Sequence, residues 1–270
     1  MPELPEVQTV LDTLKLRIKD SKIKDIKILY KPIIDMPVAT FKKKLIGQSF
    51  RDFKRRGKYL LFEMDDITLV SHLRMEGKYY IKEHSEPIEK HTHVVFVLND
   101  GYDLRYNDVR KFGRMKLINK DDTYDDFNNL GPEPFSKNFN IKYVKDYLAK
   151  SNKPIKEVLL DQSFVAGIGN IYADEICFMM GVLPTRLAKE LNDDEIKLLI
   201  SETRKILKKA IKAGGTTIRS YTSSLGVTGR FQVNLNVHTK DKCKKCSSPI
   251  MKIRVGGRGT YYCPCCQKWK

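Results

Sequence analysis

Two Cys-x2-Cys pairs, Cys243/Cys246 and Cys263/Cys266, stand sixteen residues apart near the C-terminus. This paired-knuckle spacing is that of one tetrahedral structural zinc ion, and it folds the chain between the pairs into a hairpin. Met251 to Val255 and Thr260 to Tyr262 read as its strands, joined by Gly256-Gly257-Arg258-Gly259, so Arg258 projects from the tip. Cys-Pro-Cys-Cys offers Cys265 as a competing thiol; Cys266 keeps the two-residue spacing and is the preferred ligand. From His238 onward the segment carries nine Lys/Arg against one Asp, and four thiolates with a zinc dication leave it at about +6. Such a module suits a phosphate backbone; a ribbon that braces the C-terminus or binds protein is the blander alternative. Cys177, among apolar helical residues, reads as core.

The whole chain repeats that charge bias. Fifty Lys+Arg against 33 Asp+Glu give +17 over 270 residues, a field that concentrates polyanions and points first to nucleic acid. A solvated lysine-rich surface would carry the same sum, and charge does not name the polyanion. No run approaches the roughly 18 apolar residues of a membrane span, and the start lacks a signal-peptide pattern, so a soluble, cytoplasmic protein without membrane partners is expected. In a reducing cytosol the six cysteines favour metal over disulfides.

Val7, Val10, Leu11, Leu14 and Ile18 fall at helical spacing behind Pro5 and Glu6, which places the extreme N-terminus beside a helix start. From about residue 50 to 118 the texture becomes short β-rich runs, at 59–64, 68–73, 79–82, 93–98, 102–106 and 114–118, with Asn99-Asp100-Gly101 a hairpin turn between two of them. This reads as a sandwich ending near Leu130-Gly-Pro-Glu-Pro134. Helical segments follow near 141–150, 155–161 and 171–180. A longer one uses Ile196, Leu199, Ile200, Ile206, Leu207, Ala210 and Ile211, capped by Asn192 or Asp193 and ended by Gly214-Gly215. The expected division is 1–134, 135–237 and 238–270.

Several separate motifs occur in one order along nearly the whole chain: Met1-Pro-Glu-Leu-Pro-Glu6, His72-Leu-Arg-Met75-Glu-Gly77, Tyr106-Asn-Asp-Val-Arg110-Lys-Phe112-Gly113, Leu130-Gly-Pro-Glu-Pro134, Leu160-Asp-Gln162, Gly167-Ile-Gly-Asn170-Ile-Tyr-Ala-Asp-Glu175, Gly214-Gly-Thr-Thr217 and the cysteine ribbon. Together they resemble the formamidopyrimidine-DNA glycosylase family. The resemblance implies an α+β multidomain protein: an N-terminal β-sandwich with flanking helices, a helix-two-turns-helix domain and a four-cysteine zinc finger. It also implies excision of 8-oxoguanine and formamidopyrimidines from duplex DNA, followed by β,δ-elimination, by a protein taken as monomeric.

Under that resemblance Pro2, once Met1 is removed, exposes a secondary amine that attacks C1′ of the damaged nucleotide and becomes an iminium. The adjacent helix N-terminus favours the unprotonated amine. Glu3 is the acid/base, with Glu6 a competing carboxylate better suited to a structural role in the first helical turn. Lys58, in Arg55-Arg-Gly-Lys58, resembles the family's hairpin lysine near the reacting sugar. A base must leave the stack to react; Met75 and Phe112 are implied to fill the gap while Arg110 holds the orphaned cytosine. Arg110 and Phe112, two apart, project together from an extended segment. Asn170, read as capping the following helix, joins Lys58, His72 and Arg258 as a phosphate clamp. Lys156 is a lesion-side candidate, His91 a further DNA contact, Glu76 a weaker lesion contact, and the loop from Thr216 to Gly229 a cover for the everted base.

Two alternatives remain open at this stage: an endonuclease VIII-like enzyme for oxidised pyrimidines, and a non-catalytic protein that binds damaged DNA. The chain also departs from the family in Leu235-Asn-Val237-His-Thr-Lys-Asp-Lys-Cys243, where a tyrosine and a glycine-containing turn are usual.

Overall fold

The computed structural model describes residues 1–119, 122, 125–216 and 230–268. The chain divides into two compact units, Met1–Asn128 with Ala213–Arg230, and Asn129–Lys212 with Phe231–Lys270.

The first unit is an antiparallel sandwich flanked by helices. Its elements are α1 (Leu4–Ile18), β1 (Ile23–Ile28), α2 (Val38–Leu45), β2 (Asp52–Arg56), β3 (Tyr59–Glu63), β4 (Ile67–His72), β5 (Lys78–Glu83), β6 (Thr92–Leu98), β7 (Tyr102–Asn107), β8 (Arg114–Asn119) and a short α3 (Asp125–Asn128). One sheet has the order β1-β6-β7-β5 and the other β2-β3-β4-β8. A single buried cluster, including Leu11, Leu14, Phe41, Phe62, Leu69, Tyr79, Phe96 and Tyr106, joins both sheets to α1 and α2. All six residues of β4 are buried, so periodicity alone would not mark it as half-solvated sheet.

Because β4 and β5 lie in different sheets, as do β7 and β8, the loops at 73–77 and 108–113 both cross the sandwich. They meet over one ring. A Cβ at Gly77 or at Gly113 would collide with the Tyr106 hydroxyl, so both loops need glycine to close on it.

The second unit holds α4 (Ile141–Leu148), α5 (Ile155–Leu160), α6 (Asn170–Met180), α7 (Asp193–Lys212) and the hairpin β9 (Met251–Val255) and β10 (Arg258–Tyr262). The Asn192 carboxamide oxygen caps α7 by accepting from the amides of Asp194 and Glu195. Acidic residues fill that helix's first turn and lysines its last, matching the backbone dipole. Between α5 and α6 the Gln162 side chain staples the two turns: Nε2 donates to the carbonyls of Leu160 and Ile168, and Oε1 accepts from the Gly167 amide. Among the described residues no helix is long and apolar enough to cross a membrane.

Candidate active site and nucleic-acid interface

At the N-terminus Pro2 and Glu3 are buried immediately before α1. Glu3 and Glu6 form a reciprocal capping box. Within it the Glu3 amide donates to Glu6 Oε2 at 2.8 Å, and Glu6 Oε1 accepts the Thr216 amide at 2.7 Å. Both Glu6 oxygens are thus engaged with backbone, which supports its structural reading. Gly215, at φ +77°, passes so close that a Cβ would sit 3.2 Å from Glu6 Cα. The base of the segment 217–229, bridged at Thr216 and Arg230, is therefore anchored on the first turn of α1. The expected lesion-covering loop itself lies outside the described residues from 217 to 229.

Lys58 follows Gly57 (φ +54°) in the two-residue turn between β2 and β3. Arg55 ties this turn to α1, donating through Nε to Gln8 Oε1 at 3.1 Å and through Nη1 to the Gly57 carbonyl at 2.8 Å. Far from the solvated lysine usual at a strand edge, Lys58 is only 7% exposed. Beside it His72 ends β4, paired in register with Tyr59, its ring edge-on to the Tyr59 ring at 4.5 Å. Burial, with the positive charges of Arg74 and Lys58, pushes the His72 pKa down to about 3. The Arg74 amide donates to Nδ1 at 2.9 Å, so the neutral ring carries its proton on Nε2, as a fixed donor.

The same end of the sandwich carries the two crossing loops. Met75 is half-buried in the first, while Arg110 and Phe112 are exposed in the second, where the Arg110 guanidinium lies 4.7 Å from the Phe112 ring centre. The extended segment expected there is in fact a turn, with Lys111 at φ +59°. Its cause is Asp108, fully buried, which accepts the amides of Arg110 (3.0 Å), Phe112 (2.9 Å) and Gly113 (2.8 Å) and, more weakly, the Tyr106 hydroxyl (3.4 Å). The Asp108 amide in turn donates to the carbonyl of His91, itself at φ +71° and half-buried. The motif Tyr106-Asn-Asp108 was visible in the sequence, but only this geometry reveals Asp108 as the organiser of the loop.

In the second unit Asn170 is the first residue of α6, and Gly169 occupies the capping position without a side chain. The expectation that Asn170 caps the helix is corrected: its Nδ2 donates instead to the Gly259 carbonyl of β10 at 2.9 Å, leaving Oδ1 buried without a hydrogen-bond partner among the described residues. Gly256 and Gly257, at φ +55° and +73°, make the two-residue hairpin turn, so Arg258 begins β10 opposite Val255 and is exposed. Lys156 is fully buried. Its ammonium pairs with Asp174 and donates to the Asn170 carbonyl oxygen at 3.4 Å.

The sulfurs of Cys243, Cys246, Cys263 and Cys266 lie within 4.8 Å of one another. Pairs sit at 3.8 Å (Cys243 to Cys266) and 3.4 Å (Cys246 to Cys263), close to the roughly 3.8 Å between ligands of a tetrahedral zinc with Zn–S near 2.3 Å. The four thiols fit one structural zinc ion. Cys265 is exposed outside the set and accepts from the Ser248 hydroxyl. Cys177 is buried in α6, its thiol pushed up to about 12 by burial. The linker into the finger is held by Glu175, whose Oε1 accepts the amides of Val237 and His238 and whose Oε2 accepts the Asn236 amide and carboxamide. Thr239 turns at φ +58°, a left-handed position without glycine.

These parts define a sandwich protein with a buried proline beside a capped N-terminal helix, joined to helix-two-turns-helix and zinc-ribbon elements. Sequence profiles agree. The formamidopyrimidine-DNA glycosylase N-terminal domain matches residues 1–115, the H2TH domain of the same enzymes residues 130–222, and the zinc finger found in FPG and IleRS residues 240–268. Formamidopyrimidine-DNA glycosylases of Oceanobacillus iheyensis and Bacillus subtilis are each 47% identical to the chain, covering 99% and 100% of it and 98% and 100% of their own lengths. The Lactococcus lactis Fpg bound to abasic-site DNA is 44% identical with a TM-score of 0.94, over 99% of this chain and 100% of that one. The wild-type protein bound to N7-benzyl-Fapy-dG DNA gives the same figures. The chain belongs to the formamidopyrimidine-DNA glycosylase family.

Proposed function

We propose that the chain is a base-excision-repair DNA glycosylase and AP lyase that removes oxidised purines from duplex DNA, with Pro2 as nucleophile. The observation that carries this reading is the N-terminus: a buried proline beside a capped helix start, with Glu3 next in sequence and the base of the 217–229 segment hydrogen-bonded to Glu6. After methionine removal, the Pro2 nitrogen lone pair forms a bond to C1′ as the glycosidic bond breaks. Its electron pair leaves with the base, which takes up a proton. Glu3 supplies protons to the sugar oxygen or leaving group. The amine proton is lost and the C1′–O4′ bond breaks as O4′ takes up a proton, which gives the iminium; this accepts electrons as the C2′ proton departs and the C3′–O bond breaks, and a second elimination breaks C5′–O.

The other assignments follow from position. Lys58 places its charge beside the reacting sugar and the His72 Nε2–H donates to a flanking phosphate. Met75 and Phe112 fill the stack, and Arg110, steadied on the Phe112 ring, hydrogen-bonds the orphaned cytosine. His91, just before β6, contributes from beneath that loop, where its carbonyl accepts the Asp108 amide. Asn170 and Arg258 hold phosphate from the second unit, where the zinc ion fixes the hairpin that presents Arg258. Lys156, enclosed at 0% exposure, acts through Asn170 rather than by touching the lesion. The protein works as a monomer in the cytoplasm, on the nucleoid. Cleavage of duplexes containing 8-oxoguanine opposite cytosine and thymine glycol opposite adenine tests the assignment. Preferential cutting of the first is expected; preferential cutting of the second would move the chain to the endonuclease VIII-like reading, and binding without cutting to a non-catalytic one.

A further inference from the structure

A closed circuit of buried and part-buried contacts runs through Asn170 and past Arg258, the two residues of the second unit assigned to phosphate. The Asp174 carboxylate, with no exposed surface, is shared: Oδ1 pairs with Lys156, and Oδ2 meets His238 Nδ1 at 2.6 Å. Lys156 passes to the Asn170 carbonyl, and the Asn170 carboxamide to the Gly259 carbonyl, next to Arg258. Two residues further along β10, the Tyr261 ring packs edge-on against His238 at 5.0 Å, which closes the path.

We infer that His238 is a positioning residue for DNA-phosphate binding by Asn170, an inference that rests on the assignment of Asn170 to phosphate. A carboxylate wholly removed from water must keep both its partners. Without the ring nitrogen, Asp174 turns toward Lys156 and draws the ammonium from the Asn170 carbonyl. Asn170 is sensitive to such a shift, because among the described residues its Oδ1 has no hydrogen-bond partner and the Gly259 carbonyl alone fixes the carboxamide. That bond leaves the second Nδ2 hydrogen for a phosphate oxygen. The role is separable from folding of the linker, since Glu175 holds the amides of residues 236–238 regardless of the ring at 238.

The test is a double-mutant cycle on the full-length, zinc-loaded protein with Met1 removed, read by anisotropy on a duplex carrying a tetrahydrofuran abasic analogue. His238→Phe keeps the packing on Tyr261 and deletes the nitrogen. It is expected to weaken binding about tenfold, as is Asn170→Ala, with the double variant no weaker than Asn170→Ala alone. His238→Gln, whose carboxamide can donate to Asp174, restores most of the affinity, and the single-turnover cutting rate at saturating protein stays unchanged. Losses that multiply in the double variant would overturn the inference and leave the Asn170 assignment standing, as would full affinity in His238→Phe. Full affinity in Asn170→Ala would remove the assignment itself, and the inference with it.

Discussion

Replacing Asp108 by alanine should collapse the loop that presents Arg110 and Phe112. Three amides donate to this carboxylate at 2.8–3.0 Å, and bonds to a charged acceptor contribute about 1.5–3 kcal/mol each. Simple addition overstates the loss, because the Arg110 and Phe112 bonds are only partly buried and water replaces much of each. The Gly113 amide is buried and left unsatisfied. A net destabilisation of about 3–4 kcal/mol follows, which lowers the melting temperature of the sandwich unit by roughly 8–12 °C. Asp108→Asn keeps one acceptor for Phe112 and Gly113 but turns an NH2 toward the Arg110 amide, at a cost of about 1–2 kcal/mol. Scanning calorimetry of the two variants, paired with cleavage of 8-oxoguanine opposite each of the four bases, reads both consequences. Discrimination for cytosine should erode in Asp108→Ala more than in Asp108→Asn. Equal melting temperatures for wild type and Asp108→Ala would refute the reasoning, as would an asparagine variant less stable than the alanine one.

Other outcomes follow from the same structure. Arg258→Ala should weaken DNA binding and flatten the slope of log K against log salt by about one unit, measured by titrations at several salt concentrations; an unchanged slope removes Arg258 from the phosphate contacts. Stripping zinc with a chelator should lower affinity for the abasic-analogue duplex at least tenfold, because Arg258 and the Gly259 partner of Asn170 share one hairpin, while the sandwich unit keeps its own melting transition. His72 has a folded pKa of about 3, below its ordinary value of 6.5. Its contribution to stability is therefore complete above about pH 6.5 and is lost as the pH falls toward about 3. By pH 5 the loss is about 2 kcal/mol, and His72→Phe should lack that part of the acid sensitivity in urea titrations at pH 7 and 5.

What could be read from residues alone was set by how locally each signal is written. The cysteine ribbon, α1 with its apolar stripe, α7 with its Asn192 cap, and six strands are local patterns, and they occur close to where they were expected. β1 escaped because its burial falls on Ile23 and Ile26, a spacing of three imposed by a register shift between Ile23 and Asp25, which hides the alternation of a strand. α2 is too short to show a period, with only Phe41 and Leu45 buried. In the site, the motifs carried the chemical groups but not their supports. Asp108, Gln162 and Glu175 all act by accepting or donating hydrogen bonds to backbone, in the case of Glu175 across more than sixty residues. No spacing rule announces such a bond. The capping role read for Asn170 failed for the same reason: a distant carbonyl, Gly259, outcompeted the local amides.

The nucleophile is the central claim, and borohydride trapping on duplex DNA containing 8-oxoguanine addresses it most directly. Intact mass spectrometry of zinc-loaded protein lacking Met1 should show one covalent protein–DNA adduct, mapped by peptide sequencing to the N-terminal Pro2. The same chain with an N-terminal extension, whose Pro2 nitrogen is an amide, should give none. An adduct on any lysine, or no adduct from correctly processed protein that still binds the duplex, would contradict the account.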